Sequence, residues 1–115
     1  MNKLITVAVI DSGIYPHIDF KNRIVAFKDF VNGRKNAYDD CGHGTHVSGI
    51  IAGSGYASHG RIRGICPSAC LAGIKVLDRL GNGRIENVLD AAGWIISHQK
   101  DLNIRVVNIS FGATT

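Results

Sequence analysis

The sequence predicts an α/β fold built on a mostly parallel sheet, and two observations carry that prediction. Leu4–Ile10 is a short, almost wholly apolar run rich in β-branched residues, and Leu71–Leu77 and Ile104–Ile109 are further strand-like runs. Such runs suit strands buried on both faces, as parallel strands are. Between them lie segments whose apolar residues recur at helical spacing. Strands that alternate with helices make a layered fold with helices packed on the sheet.

Taken in order, Leu4–Ile10 stops at the polar turn Asp11-Ser12-Gly13, and Arg23–Phe27 is a second short strand. Asn32–Gly42 is polar and turn-rich, hence a surface loop. His43–Gly53 carries Val47, Ile50 and Ile51 at helical spacing. Asp39 and Asp40 precede it, and carboxylates suit a helix N-terminus. Gly53 is its stop signal, and Ser54–Arg63 is another loop. Leu71–Leu77 is a strand, followed by a turn at Gly81-Asn82-Gly83. Ile85–His98 is expected to gather Ile85, Val88, Leu89, Ala92, Ile95 and Ile96 on one apolar face. Ile104–Ile109 is the last strand and ends at Ser110-Phe111-Gly112. Parallel sheets form their sites at the carboxyl ends of strands, which puts Asp11 and Ser110 on the functional edge.

A length of 115 residues fits one small domain or part of a larger one, and 45% hydrophobic residues supply a core. No apolar run approaches the roughly 18 residues of a spanning helix. The 13 basic and 9 acidic residues leave a net charge of +4. Lys21, Arg23, Lys28, Arg34 and Lys35 are only loosely grouped and are not interleaved with aromatics, so neither nucleic acid nor a membrane is expected as a partner. Three cysteines, Cys41, Cys66 and Cys70, do not make a disulfide framework. Free thiols and the lack of a visible signal peptide point to a reducing, cytoplasmic compartment.

Three segments carry chemistry. Asp11 ends an apolar strand, where a carboxylate is costly to bury unless hydrogen-bonded; a turn Asp bonding nearby N–H groups is the plain alternative. Gly42-His43-Gly44-Thr45-His46-Val47-Ser48-Gly49 puts two histidines on one face of a helix start. They read as a base near a carboxylate, as metal ligands with Cys41 and His59, or as packed end residues. Gly42, Gly44 and Gly49 make sense where another backbone or a substrate comes close. Val106–Gly112 is either a core strand or a strand whose exposed end pairs with an extended peptide.

Together, Asp11-Ser12-Gly13 after a VAVI strand, GHGTHVSGIIAG, GICPSA, KVLDRLGNGRI and VVNISFG resemble the subtilisin-like serine peptidases (subtilases), in register from Val7 to Gly112. The loops at Asn36–Asp40 and Ser54–Arg63 resemble most the intracellular bacterial branch. The resemblance implies the N-terminal part of a three-layer, parallel-sheet catalytic domain, with about four strands and two helices in residues 1–115. It implies Asp11 and His43 as catalytic residues, with His46 structural and no cofactor. His43 would act as general base toward a serine hydroxyl, and Asp11 would orient and stabilise the imidazole. Ser110, Phe111 and Gly112 match one substrate-lining strand, and Gly81, Asn82 and Gly83 the opposite lining segment. An extended polypeptide would lie between them. Leu77 and Ile85 match positions that shape an apolar subsite. Asp19 matches a position that often helps bind calcium, but the calcium loop is short here and no metal site is assigned.

The family's nucleophile motif, of Gly-Thr-Ser-Met-Ala type, and its oxyanion asparagine fall downstream of Thr115 in this resemblance. Ser12, Ser48 and Ser110 belong to other motifs. The chain is therefore expected to be an inactive fragment of a serine endopeptidase. It would associate with a complementing C-terminal part or with itself, through exposed sheet edges. A non-catalytic peptide-binding or regulatory module on the same fold is the alternative.

Overall fold

A computed structural model describes residues 4–111. Four strands, β1 (Thr6–Asp11), β2 (Ile24–Asp29), β3 (Cys70–Lys75) and β4 (Ile104–Ile109), form one sheet. Their order is β2-β3-β1-β4 and every pairing is parallel. Two helices, α1 (His43–Ala52) and α2 (Ile85–His98), complete the frame. Short 3-10 turns occupy Lys21–Arg23 and Tyr56–Ser58.

The pleat of the central strand sorts the core into two layers. Val7 and Val9 of β1 join Leu71, Phe20 and Ile14 beneath Val47, Ile51 and Ala52 of α1. Ala8 and Ile10 point the other way and join Ala72, Ile74, Ala91 and Ile95, the last two from α2. Successive side chains of a strand alternate between faces, so α1 and α2 lie on opposite sides of the sheet. Both crossovers, β2–α1–β3 and β3–α2–β4, advance across the sheet in the same direction. With their helices on opposite faces they have opposite hands, so one is of the hand that only about 2% of such connections adopt.

Three sequence expectations are corrected. β4, expected as a buried strand, buries only Ile104; Val106, Val107 and Ile109 are exposed because it lies at the edge of the sheet. In α2 the buried stripe is Ala91 and Ile95, with Val88 and Trp94 partly covered; Ile85, Leu89, Ala92 and Ile96 face outward. The helix has two apolar stripes, and only tertiary packing selects between them. Gly42 and Gly49 have open space where a Cβ would stand, so of the three glycines only Gly44 meets another backbone; Gly42 instead serves a φ of +97°. Strand ends shift by one or two residues from their expected places, whereas the bounds of α2 and β4 coincide with them. Among the described residues, no helix is long and apolar enough to cross a membrane.

Candidate active site

β1 delivers Asp11 as its last residue, with none of its surface exposed. A buried carboxylate needs donors. The Ser12 N–H donates to Oδ1 at 2.7 Å, and Nδ1 of His43 lies 2.8 Å from Oδ1 and 3.0 Å from Oδ2. An ionised carboxylate only accepts, so Nδ1 carries the proton and Nε2 is left as the basic nitrogen. The His43 side chain is 48% exposed, and Nε2 makes no hydrogen bond to a described residue.

His43 reaches Asp11 because α1 begins against the turn after β1. A Cβ at Gly44 would collide with the Gly13 carbonyl oxygen and stand 3.2 Å from the Asp11 Cβ. Glycine at 44 is what allows this approach. Gly13 has φ +123°, and a Cβ there would strike the Tyr38 carbonyl oxygen.

Side chains hold the two elements together. Ser12 Oγ donates to Asp39 Oδ1 at 2.8 Å and accepts from the Gly44 N–H at 2.9 Å. Asp39 Oδ1 also accepts from the N–H groups of Cys41 and Gly42. Asp39 Oδ2 accepts from the Thr45 N–H at 2.8 Å and the Thr45 hydroxyl at 2.6 Å. Burial pushes the Asp39 pKa up, but the hydrogen bonds from Thr45, Gly42 and Ser12 outweigh it and hold the carboxyl below its ordinary range.

Beneath this turn lies Lys75, the last residue of β3 and the register partner of Asp11. Its side chain is fully buried, and Nζ donates at 2.7 Å to the carbonyls of Ser12 and Leu77 and to the Asp40 carboxylate. The Tyr38 ring lies 5.3 Å from Nζ, and the Tyr38 hydroxyl donates to Asp29 at the end of β2. Asp29 also accepts the N–H groups of Val31, Asn32 and Arg34. Burial raises its pKa, but the bonds from Tyr38 and these amides outweigh that and keep it low. The 30–42 loop is thus anchored at both ends before it hands the chain to α1.

The segments expected to line a substrate lie at the same carboxyl edge. Past β3, Asp78 Oδ1 accepts from the N–H groups of Leu80 and Asn82, which shapes the Gly81-Asn82-Gly83 turn. All three turn residues are exposed. These amide bonds hold the Asp78 carboxyl below its ordinary pKa. Leu77 is packed in the core at 5% exposure, whereas Ile85 opens α2 on the surface. Past β4, Ser110 is exposed and accepts from the Asn108 amide, and Phe111 is half-buried against the α2 layer. Gly112 lies outside the described residues. Among the described residues no three His, Cys, Asp or Glu side chains converge as metal ligands, so Cys41, His43, His46 and His59 form no such group.

Sequence reasoning found Asp11 and His43 but gave no role to Ser12, Thr45 or Lys75, and read Asp39 only as a helix-end charge. Lys75 had a visible signal, being the one charge inside the apolar run Leu71–Leu77.

Comparison with known proteins agrees with this geometry. The subtilase family profile matches residues 2–115. The serine protease AprX of Bacillus subtilis (strain 168) is 46% identical over 99 residues, which is 86% of this chain and 22% of that protein. Subtilisin E of the same organism is 40% identical over 113 residues, covering 96% of this chain and 28% of the relative. The chain thus spans about a quarter of the length of these relatives. A cold adapted subtilisin-like serine proteinase of known structure superposes with a TM-score of 0.78 at 32% identity, over 96% of this chain and 38% of that one. A psychrophilic protease gives a TM-score of 0.83 at 33% identity with the same coverage. With its four parallel strands and two helices arranged as in these proteases, the chain belongs to the subtilase family.

Proposed function

We propose that residues 1–115 are the N-terminal part of a serine endopeptidase catalytic domain, and that they supply two members of an Asp–His–Ser triad. The observation that carries this reading is the Asp11–His43 pair, joined at Nδ1 by contacts of 2.8 and 3.0 Å while Nε2 has no hydrogen-bond partner among the described residues. In the reaction, His43 Nε2 takes the proton of a serine hydroxyl as that oxygen attacks the peptide carbonyl, and later gives it to the leaving amine. Asp11 fixes the tautomer and stabilises the imidazolium. The serine and the oxyanion donors come from a downstream part of the same domain. The substrate is an extended polypeptide lying between Gly81-Asn82-Gly83 and Ser110-Phe111-Gly112. The coverage of AprX and subtilisin E, near a quarter of each, supports the fragment reading.

A chain of these residues alone is inactive, because the triad acts as a unit. The test is labelling by a serine-directed phosphonate. The chain alone takes no label. Mixed or co-expressed with a downstream segment that carries a Gly-Thr-Ser-Met motif, the complex is labelled on that serine and hydrolyses a peptide amide. Labelling of residues 1–115 themselves would contradict the proposal.

A further inference from the structure

Asp11 and His43 sit on separate elements, 32 positions apart in sequence, yet their contact must hold to a few tenths of an ångström. Their own hydrogen bond does not set that distance, because a half-exposed imidazole on the first residue of a helix moves with the helix. Something has to fix α1 against the end of β1.

We infer that Asp39 is a positioning residue: its carboxylate joins the turn after β1, through Ser12 at Oδ1, to the start of α1, through Cys41 and Gly42 at Oδ1 and Thr45 at Oδ2, and so sets the spacing of the Asp11–His43 pair. This inference rests on the reading of that pair as a proton-handling couple. Oδ1 takes the Ser12 hydroxyl, which belongs to the turn directly after Asp11. Oδ2 takes both the N–H and the hydroxyl of Thr45, one half-turn into the helix that His43 opens. The grip is closed at two further points. The Gly44 N–H donates to the same Ser12 hydroxyl, and the Tyr15 N–H donates to the Thr45 hydroxyl at 2.9 Å. Every donor in this ring thus has an acceptor; the Gly44 and Tyr15 bonds join the segment after β1 to α1 directly, and Asp39 joins them through the loop between. A depressed Asp39 pKa keeps the carboxylate ionised, so it accepts at both oxygens.

The consequence is specific. Losing one arm of the grip need not unfold the sheet, but it lets α1 ride away from β1 and frees the imidazole. A neutral histidine without a carboxylate at Nδ1 reverts to the Nε2–H tautomer that free histidine prefers. The readout is therefore the tautomer of neutral His43, taken from its ring ¹⁵N shifts, with the amide shifts of Ala8 and Ile74 in the sheet as the control for folding. Ser12→Ala removes the link to the β1 turn and Thr45→Val removes the hydroxyl half of the link to α1, each without changing charge, and Asp39→Asn turns one acceptor oxygen into a donor. In the parent chain the Nδ1–H form dominates. In Ser12→Ala and in Thr45→Val, with core shifts unchanged, the Nε2–H fraction rises about threefold or more. Asp39→Asn behaves the same way; should it unfold the start of α1, the two single-arm variants decide. Asp11→Ala gives mainly the Nε2–H form. Single-arm variants that keep the parent tautomer would overturn the role of Asp39 while leaving the pair intact. An Asp11→Ala chain that still favours Nδ1–H would overturn the pair itself and the inference built on it.

Discussion

Lys75 ends β3 directly opposite Asp11 in the sheet register, and its ammonium holds the carbonyl of the residue that follows Asp11. A cation with no exposed surface therefore sits under the turn that aims the Asp11 carboxylate. It also holds the Leu77 carbonyl, where the chain leaves β3 for the Gly81-Asn82-Gly83 turn. One side chain thus joins the two strand ends that frame the candidate site.

Replacing Lys75 by Met keeps the volume but leaves two carbonyls and the Asp40 carboxylate without their donor. A stranded buried acceptor costs about 1–3 kcal/mol, so Lys75→Met should lower stability by about 2–4 kcal/mol in urea unfolding. Asp40 is partly open to water and Asn still accepts, so Asp40→Asn should cost less than about 1 kcal/mol. Equal losses from the two variants would contradict this account of the cluster.

Ser48 presents the opposite case. Its hydroxyl is buried within α1 and has no hydrogen-bond partner among the described residues. Ala removes an unpaired polar group and is the better helix former. Ser48→Ala should therefore raise stability by about 1 kcal/mol, read as a higher urea midpoint with an unchanged slope.

Acid should unfold the chain through Asp39 and Asp29. Both carboxyls titrate below their ordinary value in the fold, so the unfolded chain takes up the proton first as pH falls. Their contribution is complete above the ordinary carboxylate pKa of about 4. It is lost as pH drops below that and through the folded values. Asp29→Asn and Asp39→Asn should each lower stability at neutral pH and flatten its fall in acid. An acid limb as steep as the parent's in both variants would show that other groups drive it.

Among the described residues β4 is an edge strand, and Val106, Val107 and Ile109 on it are exposed, as are Leu89 and Ile96 of α2. An unpaired apolar edge invites pairing with another chain. Size-exclusion chromatography should show species larger than a monomer whose proportion rises with concentration, and Val107→Lys should reduce them. A sharp monomer peak that resists both dilution and concentration would count against this.

What the sequence made legible, and what it hid, follows from the range of each interaction. α2 and β4 keep their expected bounds because local periodicity decides them. The buried face of α2 was misread because Ile85, Leu89, Ala92 and Ile96 form a stripe as apolar as the one that packs. Asp11 and His43 were legible through the motifs around them, GHGTH above all. The grip of Asp39 was not, because its partner Ser12 lies 27 positions away and no local pattern marks that contact. Lys75 stood out as the one charge in its apolar run, but no local pattern marks the carbonyls it holds.

The central claim is that Asp11 and His43 work as one proton-handling unit, and kinetics of the complemented complex test it most directly. With the downstream segment supplied, kcat on a peptide amide should fall by about four orders of magnitude in Asp11→Asn, and at least as far in His43→Ala, with KM little changed. A complex that keeps more than about a tenth of its kcat without the Asp11 carboxylate would contradict the claim.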